Sequence, residues 1–102
     1  MEITALTEGV FYILLSLIEP LHGYGIMQNV EALSNGRVRL AAGTLYGAIN
    51  NLQERGWIRS LSGGTEGRRK EYQITETGRE ALETEMKRLK ELLENGKKVL
   101  GD

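Results

Sequence analysis

From residue 7 to residue 19 the chain is apolar at most positions: Val10, Phe11, Ile13, Leu14, Leu15, Leu17 and Ile18 leave almost no polar face. The run predicts a helix, capped by Thr7 and ended by Pro20, since proline lacks an N–H and disfavours helix in the residue before it. A helix apolar all round must be covered on all sides, and in so short a chain one side is expected to meet a second subunit. The pattern then narrows to stripes. Ile26, Met27, Val30 and Leu33, at spacings of three and four, predict a second helix over 24–33, after the turn HGYG and before Ser34-Asn35-Gly36. Val38-Arg39-Leu40 alternates like a short strand. Leu45, Ala48, Ile49 and Leu52 predict a third helix over 42–55, ended by Gly56. Strands are expected at 57–61 and 70–74, around the polar, glycine-rich loop SGGTEGRR. A last helix starts at Thr75 or Thr77; Thr77 with Glu80 reads as a capping box. Its residues Leu82, Met86, Leu89, Leu93 and Leu100 step by four, three, four and seven, with Gly96 in the gap, a coiled-coil seam too short to make a strong coiled coil alone. Asn95-Gly96 is a candidate early end.

Two short helices joined tightly and followed by a β-hairpin make a winged helix-turn-helix. The expected fold is therefore mainly α with a small β-hairpin. Residues 1–75 form the winged helix-turn-helix and residues 76–102 a dimerisation helix packed on it.

At 102 residues the chain fits one domain, and a lone monomer of that size is marginal in stability. Hydrophobic residues make up 40% and charged residues 26%, a globular balance. The lack of cysteine excludes disulfides, thiolate metal sites and a cysteine nucleophile; a single histidine excludes a multi-histidine metal site. No nucleophile elbow, P-loop or zinc-protease motif is present, so neither an enzyme nor a cofactor is expected. The start MEITALTEG lacks the basic region of a signal peptide, and the longest apolar stretch, 10–18, is about half a membrane span. A soluble, cytoplasmic protein with no membrane partner is expected.

The net charge is −1, but unevenly spread: residues 1–34 hold four glutamates and no Lys or Arg, while residues 35–80 hold eight cations against five glutamates. The positive charge thus gathers in the middle of the chain, enough for an electropositive face on an acidic molecule. The third helix, with its leucines inward, turns Gly43, Gly47, Asn50 and Glu54 outward, flanked by Thr44, Tyr46 and Asn51. Solvated helix faces favour Glu, Lys and Gln. Small residues admit a close surface, and Asn and Thr can read base edges; a weakly formed surface helix fits equally well. Tyr46 can donate to a phosphate or pack its ring, and packing is the commoner fate. Arg68, Arg69 and Lys70 follow Gly67, with Arg59 on the preceding strand. Such cations suit a phosphate backbone or a minor groove, or they keep a hairpin edge from pairing with other chains. His22 and Tyr24 either help hold a phosphate at a helix start or simply fix the turn. Trp57 reads as core or half-core.

The segments HGYGIMQNVEALSNGRVRLAAGTLYGAINNLQERGWI and EGRRKEYQITETG resemble the PadR family of bacterial transcriptional regulators over roughly residues 7–85. HGYG, GTLYGAI and GRR-K-Y-x-x-T-x-x-G are specific in this order. The short tail resembles the subgroup with one C-terminal helix. The resemblance implies a homodimer joined by the first and last helices, placing Val10, Leu14, Leu82, Met86, Leu89 and Leu93 at the interface. It implies a repressor on double-stranded, inverted-repeat operator DNA, released by a small, often aromatic or drug-like effector. By position, Thr44, Tyr46 and Gly47 lie on the DNA side of the third helix, Tyr24 meets the DNA backbone, and Gly67, Arg68, Arg69 and Lys70 form the wing. Asn50 and Asn51 depart from the family, where many relatives carry a basic residue; this weakens the expected phosphate affinity, gives the wing more weight and leaves the operator sequence open. Two alternatives stand beside the DNA-binding regulator: a small-ligand sensor built around a pocket between the first and last helices, and a winged-helix module that binds protein, which the acidic pI of about 5.9 would suit.

Overall fold

The computed structural model describes residues 5–61 and 70–101. Its elements are α1 (Glu8–Ser16), β1 (Leu21–His22), α2 (Gly23–Leu33), α3 (Ala42–Glu54), β2 (Ile58–Leu61), β3 (Glu71–Ile74) and α4 (Glu76–Leu100). The architecture is the expected one, mainly helical with a small antiparallel sheet and a long C-terminal helix.

The sheet has three strands, in the order β1-β3-β2, where the sequence predicts a two-stranded hairpin. The third strand comes from Leu21 and His22, which pair with Tyr72 and Glu71. The segment 38–40 is not a strand: the Val38 amide donates to Ser34 Oγ (2.9 Å), so its polar group is satisfied within the loop after α2. Val38 and Leu40 alternate because both pack from that loop onto the core.

Helix ends follow local chemistry. Thr7 caps α1 by accepting from the Val10 amide, but the regular helix ends at Ser16, short of Pro20. The next two amides reach back only three residues, and the Leu17 carbonyl turns away to accept from the Ile74 amide at 2.9 Å. Gln73 Nε2 takes the Ile18 carbonyl. The end of α1 is thus tied to β3. Both α2 and α3 close with a Schellman arrangement. Asn35 (φ 55°) occupies the left-handed position after α2, and Gly56 (φ 77°) the one after α3. Thr75, not Thr77, caps α4: its Oγ1 accepts from the Gly78 amide (3.1 Å) and donates to the Gly56 carbonyl (2.6 Å). A Cβ at Gly78 would collide with the Trp57 carbonyl, so only glycine lets α4 start this close to the end of α3. Past Asn95-Gly96 α4 continues without a break to Leu100.

The core joins Ile13, Leu14 and Leu17 of α1 to Ile26, Val30, Leu45, Ile49 and Leu52 of the next two helices, with Ile58, Tyr72, Ile74 and Leu82 closing it. Two residues expected at a subunit interface belong here instead. Leu14 is 0% exposed and Leu82 5%, because α1 and the first turns of α4 pack on the same body. Val10 is half-buried. The apolar surface that α4 leaves open is Met86, Leu89 and Leu93, joined by Leu92, Val99 and Leu100.

Glu85 fastens the chain before α1 to α4. Its side chain is only 4% exposed, accepts from the Leu6 amide (3.2 Å), and receives Nε and Nη2 of Arg88 at 2.7 and 2.6 Å. The Arg88 bonds, helped by the Leu6 amide, hold its carboxyl below the usual glutamate range against the opposing effect of burial. The stability this supplies is complete above the unfolded value of about 4.3 and is withdrawn as pH falls through the lower, folded one. Glu85→Gln is expected to lower stability at neutral pH and to flatten the acid limb of the stability curve below about pH 4.3, read by urea unfolding across pH. An acid limb as steep as in the unaltered chain would show that Glu85 does not carry it.

Candidate nucleic-acid interface

α3 buries Leu45, Ile49 and Leu52, three residues on one side of a 3.6-residue period. The opposite side is outward throughout: Gly43, Thr44, Tyr46, Gly47, Asn50, Asn51 and Glu54 are exposed. Among the described residues nothing stands within 4 Å of where a Cβ would sit on Gly43 or Gly47. Neither glycine is therefore required by packing among the described residues. Each costs an exposed helix about 1 kcal/mol relative to alanine. α3 is also the helix without a side-chain cap. Thr7, His22 and Thr75 cap the others, while Ala41 at the start of α3 has nothing to offer the first amides. Uncapped amides at an exposed helix start are suited to donate to an anion.

α2 meets this helix at its own N-terminus. His22 Nδ1 accepts from the Gly25 amide at 3.0 Å, so His22 is the cap of α2. Tyr24 follows, exposed. Tyr46 reaches from α3 across to Gly23, where its ring end occupies the place of the missing side chain. Burial first, and Tyr46 second, push the Tyr72 phenol above its ordinary pKa.

The two asparagines differ. Asn51 Oδ1 accepts from Arg55 Nε at 2.9 Å, and the same guanidinium lies 5.0 Å over the Trp57 ring. Asn50 is exposed and makes no such bond among the described residues. A cation thus stands one turn along α3 from a position where the family pattern has one. The i, i+4 spacing of Asn51 and Arg55 is visible in the sequence and signals this pair. Arg59 Nη2 donates to Gln73 Oε1 (3.4 Å) on the neighbouring strand. Lys70 is exposed just before β3. Gly67, Arg68 and Arg69, the rest of the expected wing, lie outside the described residues.

On the far side a hollow of about 280 Å³ opens between α1 and α4, lined by Leu6, Glu8, Phe11, Tyr12, Glu85, Arg88 and Leu89. Among the described residues no cluster of three potential ligands could hold a metal ion, and no helix is long and apolar enough to cross a membrane.

The Transcriptional regulator PadR-like family matches this chain over residues 10–84. A protein of Streptomyces fradiae described as an uncharacterized 37.1 kDa protein in transposon TN4556 is 41% identical over 66 residues, which are 65% of this chain; they span only 18% of that protein's length. A transcriptional regulator from Clostridium thermocellum has a similar structure (TM-score 0.66, 28% identity, covering 91% of this chain and 88% of that one). A PadR family transcriptional regulator from Eggerthella lenta is similar too (TM-score 0.73, 26% identity, covering 89% and 80%). The chain belongs to the PadR-like family of transcriptional regulators, a family of regulators and not of enzymes.

Proposed function

We propose that the chain is a homodimeric repressor that holds an inverted-repeat DNA duplex through α3 and the wing and lets go when a small ligand binds. The observation that carries the DNA contact is the outward side of α3. Two glycines that no described neighbour requires stand beside Thr44, Tyr46 and Asn50, at a helix start with no side-chain cap. A helix weakened by about 1–2 kcal/mol, with no described neighbour that requires it, is explained by a surface that must come close to it. In this reading Thr44 and Asn50 read base edges, Tyr24, Tyr46 and Gly47 lie along the backbone, and Arg68, Arg69 and Lys70 supply the salt-dependent attraction. The compartment is that of the duplex, the cytoplasm.

The second copy is supported by α4. A 25-residue helix is about 37 Å long, and its own chain meets it through α1 and β3. Met86, Leu89, Leu92, Leu93, Val99 and Leu100 stay exposed. They fall at three positions per heptad, which suits packing against more than one helix, here the partner's α4 and α1. The effector site is the hollow between α1 and α4. At about 280 Å³ it sits at the small end of ligand pockets, with Phe11, Tyr12 and Leu89 as apolar walls and Arg88 at its edge. Leu89 lies in both the hollow and the open stripe, so a ligand there would reach the subunit contact.

Gly43→Ala and Gly47→Ala are each expected to raise unfolding stability by about 0.5–1 kcal/mol while weakening duplex binding. Thermal unfolding and fluorescence anisotropy on one preparation check both. A gain in stability with binding unchanged would remove the close approach. Leu93→Asp is expected to give monomers in sedimentation and to lose the avidity of two linked half-sites. A dimer that survived the change would move the interface off α4.

A further inference from the structure

Gly23 is buried at the first position of α2, yet it has no turn to make there: its φ is not positive. What requires glycine is Tyr46. A Cβ on Gly23 would collide with the Tyr46 hydroxyl and come within 2.8 Å of Cζ and 3.4 Å of Cε1. The end of the Tyr46 ring therefore lies where every other residue has a side chain. Tyr46 itself stays 44% exposed, so one side of the ring rests on α2 and the other faces solvent. Its hydroxyl makes no hydrogen bond to any described residue, although it is closely placed. Tyr72 stands on the β3 side, near enough for the two phenols to interact. The hydroxyl is thus closely seated without being used by any described residue.

We propose that Gly23 is a positioning residue for DNA binding: its missing side chain seats the Tyr46 hydroxyl against the start of α2, where it donates to a DNA phosphate. The inference rests on the DNA-binding reading of α3 and names a contact and its support. The colliding atoms are the far end of a side chain, so Gly23→Ala leaves the fold room to adjust. The added methyl pushes the phenol out of its seat without opening the core. Tyr46→Phe removes the hydroxyl but leaves the ring. A phenol carries no charge, so losing its contact releases no fewer counterions; the affinity falls but its dependence on salt does not. Loss of a wing cation would instead flatten that dependence.

The test measures binding of a fluorescein-labelled duplex of about two to three helical turns by the full chain at several salt concentrations. Tyr46→Phe is expected to weaken binding about tenfold, the worth of one hydrogen bond to a charged group. Gly23→Ala is expected to weaken it about as much, with near-unchanged thermal stability and the same salt slope. The double variant should be no weaker than either single one, since both remove the same contact. Binding by Gly23→Ala equal to that of the unaltered chain would overturn the inference and leave the DNA-binding reading standing. So would a double variant whose loss is the product of the two, or a flattened salt slope. An unaltered chain that holds no duplex even in dilute buffer would overturn both.

Discussion

Burial of Leu45, Ile49 and Leu52 sets the rotation of α3 about its own axis, and the remaining functional geometry follows from that rotation. With those three side chains locked into the core, the 3.6-residue period leaves Gly43, Gly47 and Asn50 facing out and carries Tyr46 sideways toward α2. The Schellman closure at Gly56 then turns the chain into β2, and Thr75 bonds back to the Gly56 carbonyl. One side chain thereby ties the end of α3 to the start of α4. The helix proposed to read DNA and the helix proposed to meet a partner are thus joined through a few hydrogen bonds.

The molecule also divides its stability and its chemistry between two sides. The side built on α1 and the start of α4 is held by apolar contacts and by the Glu85–Arg88 pair, which gathers in the Leu6 amide. The α3 side gives up helix propensity at two glycines and leaves its first amides uncapped. Proteins break local rules of this kind where something outside the chain compensates. On the proposed function, the first side has to be firm because a ligand or a second copy acting there must be felt at α3.

Much of this was legible in the sequence, for definable reasons. Helices with a regular stripe, such as α3, announce both their span and their buried side. The hairpin strands are bracketed by Gly56 and the glycine-rich loop. β1 was not legible, because two residues carry no periodicity and become a strand only when β3 lies beside them. The alternation at 38–40 misleads for the converse reason: a loop can bury every second residue too. Leu14 and Leu82 share the apolar pattern of interface positions, and only the packed structure shows that the core consumes them. Leu92 and Val99 escape a seam counted at two positions per heptad. The exposed side of α3 could be named from spacing, but the seat of Tyr46 on Gly23 joins residues 23 apart in sequence and has no local signal.

The central claim, that the glycine-bearing side of α3 is the surface pressed against DNA, is tested most directly by amide hydrogen exchange of the full chain with and without a bound duplex. The account predicts slower exchange at the first amides of α3, residues 42–44, and at the start of α2, with the far end of α4 unchanged. Protection confined to α4 or to the hollow beside α1, with the α3 amides exchanging as in the free chain, would contradict it.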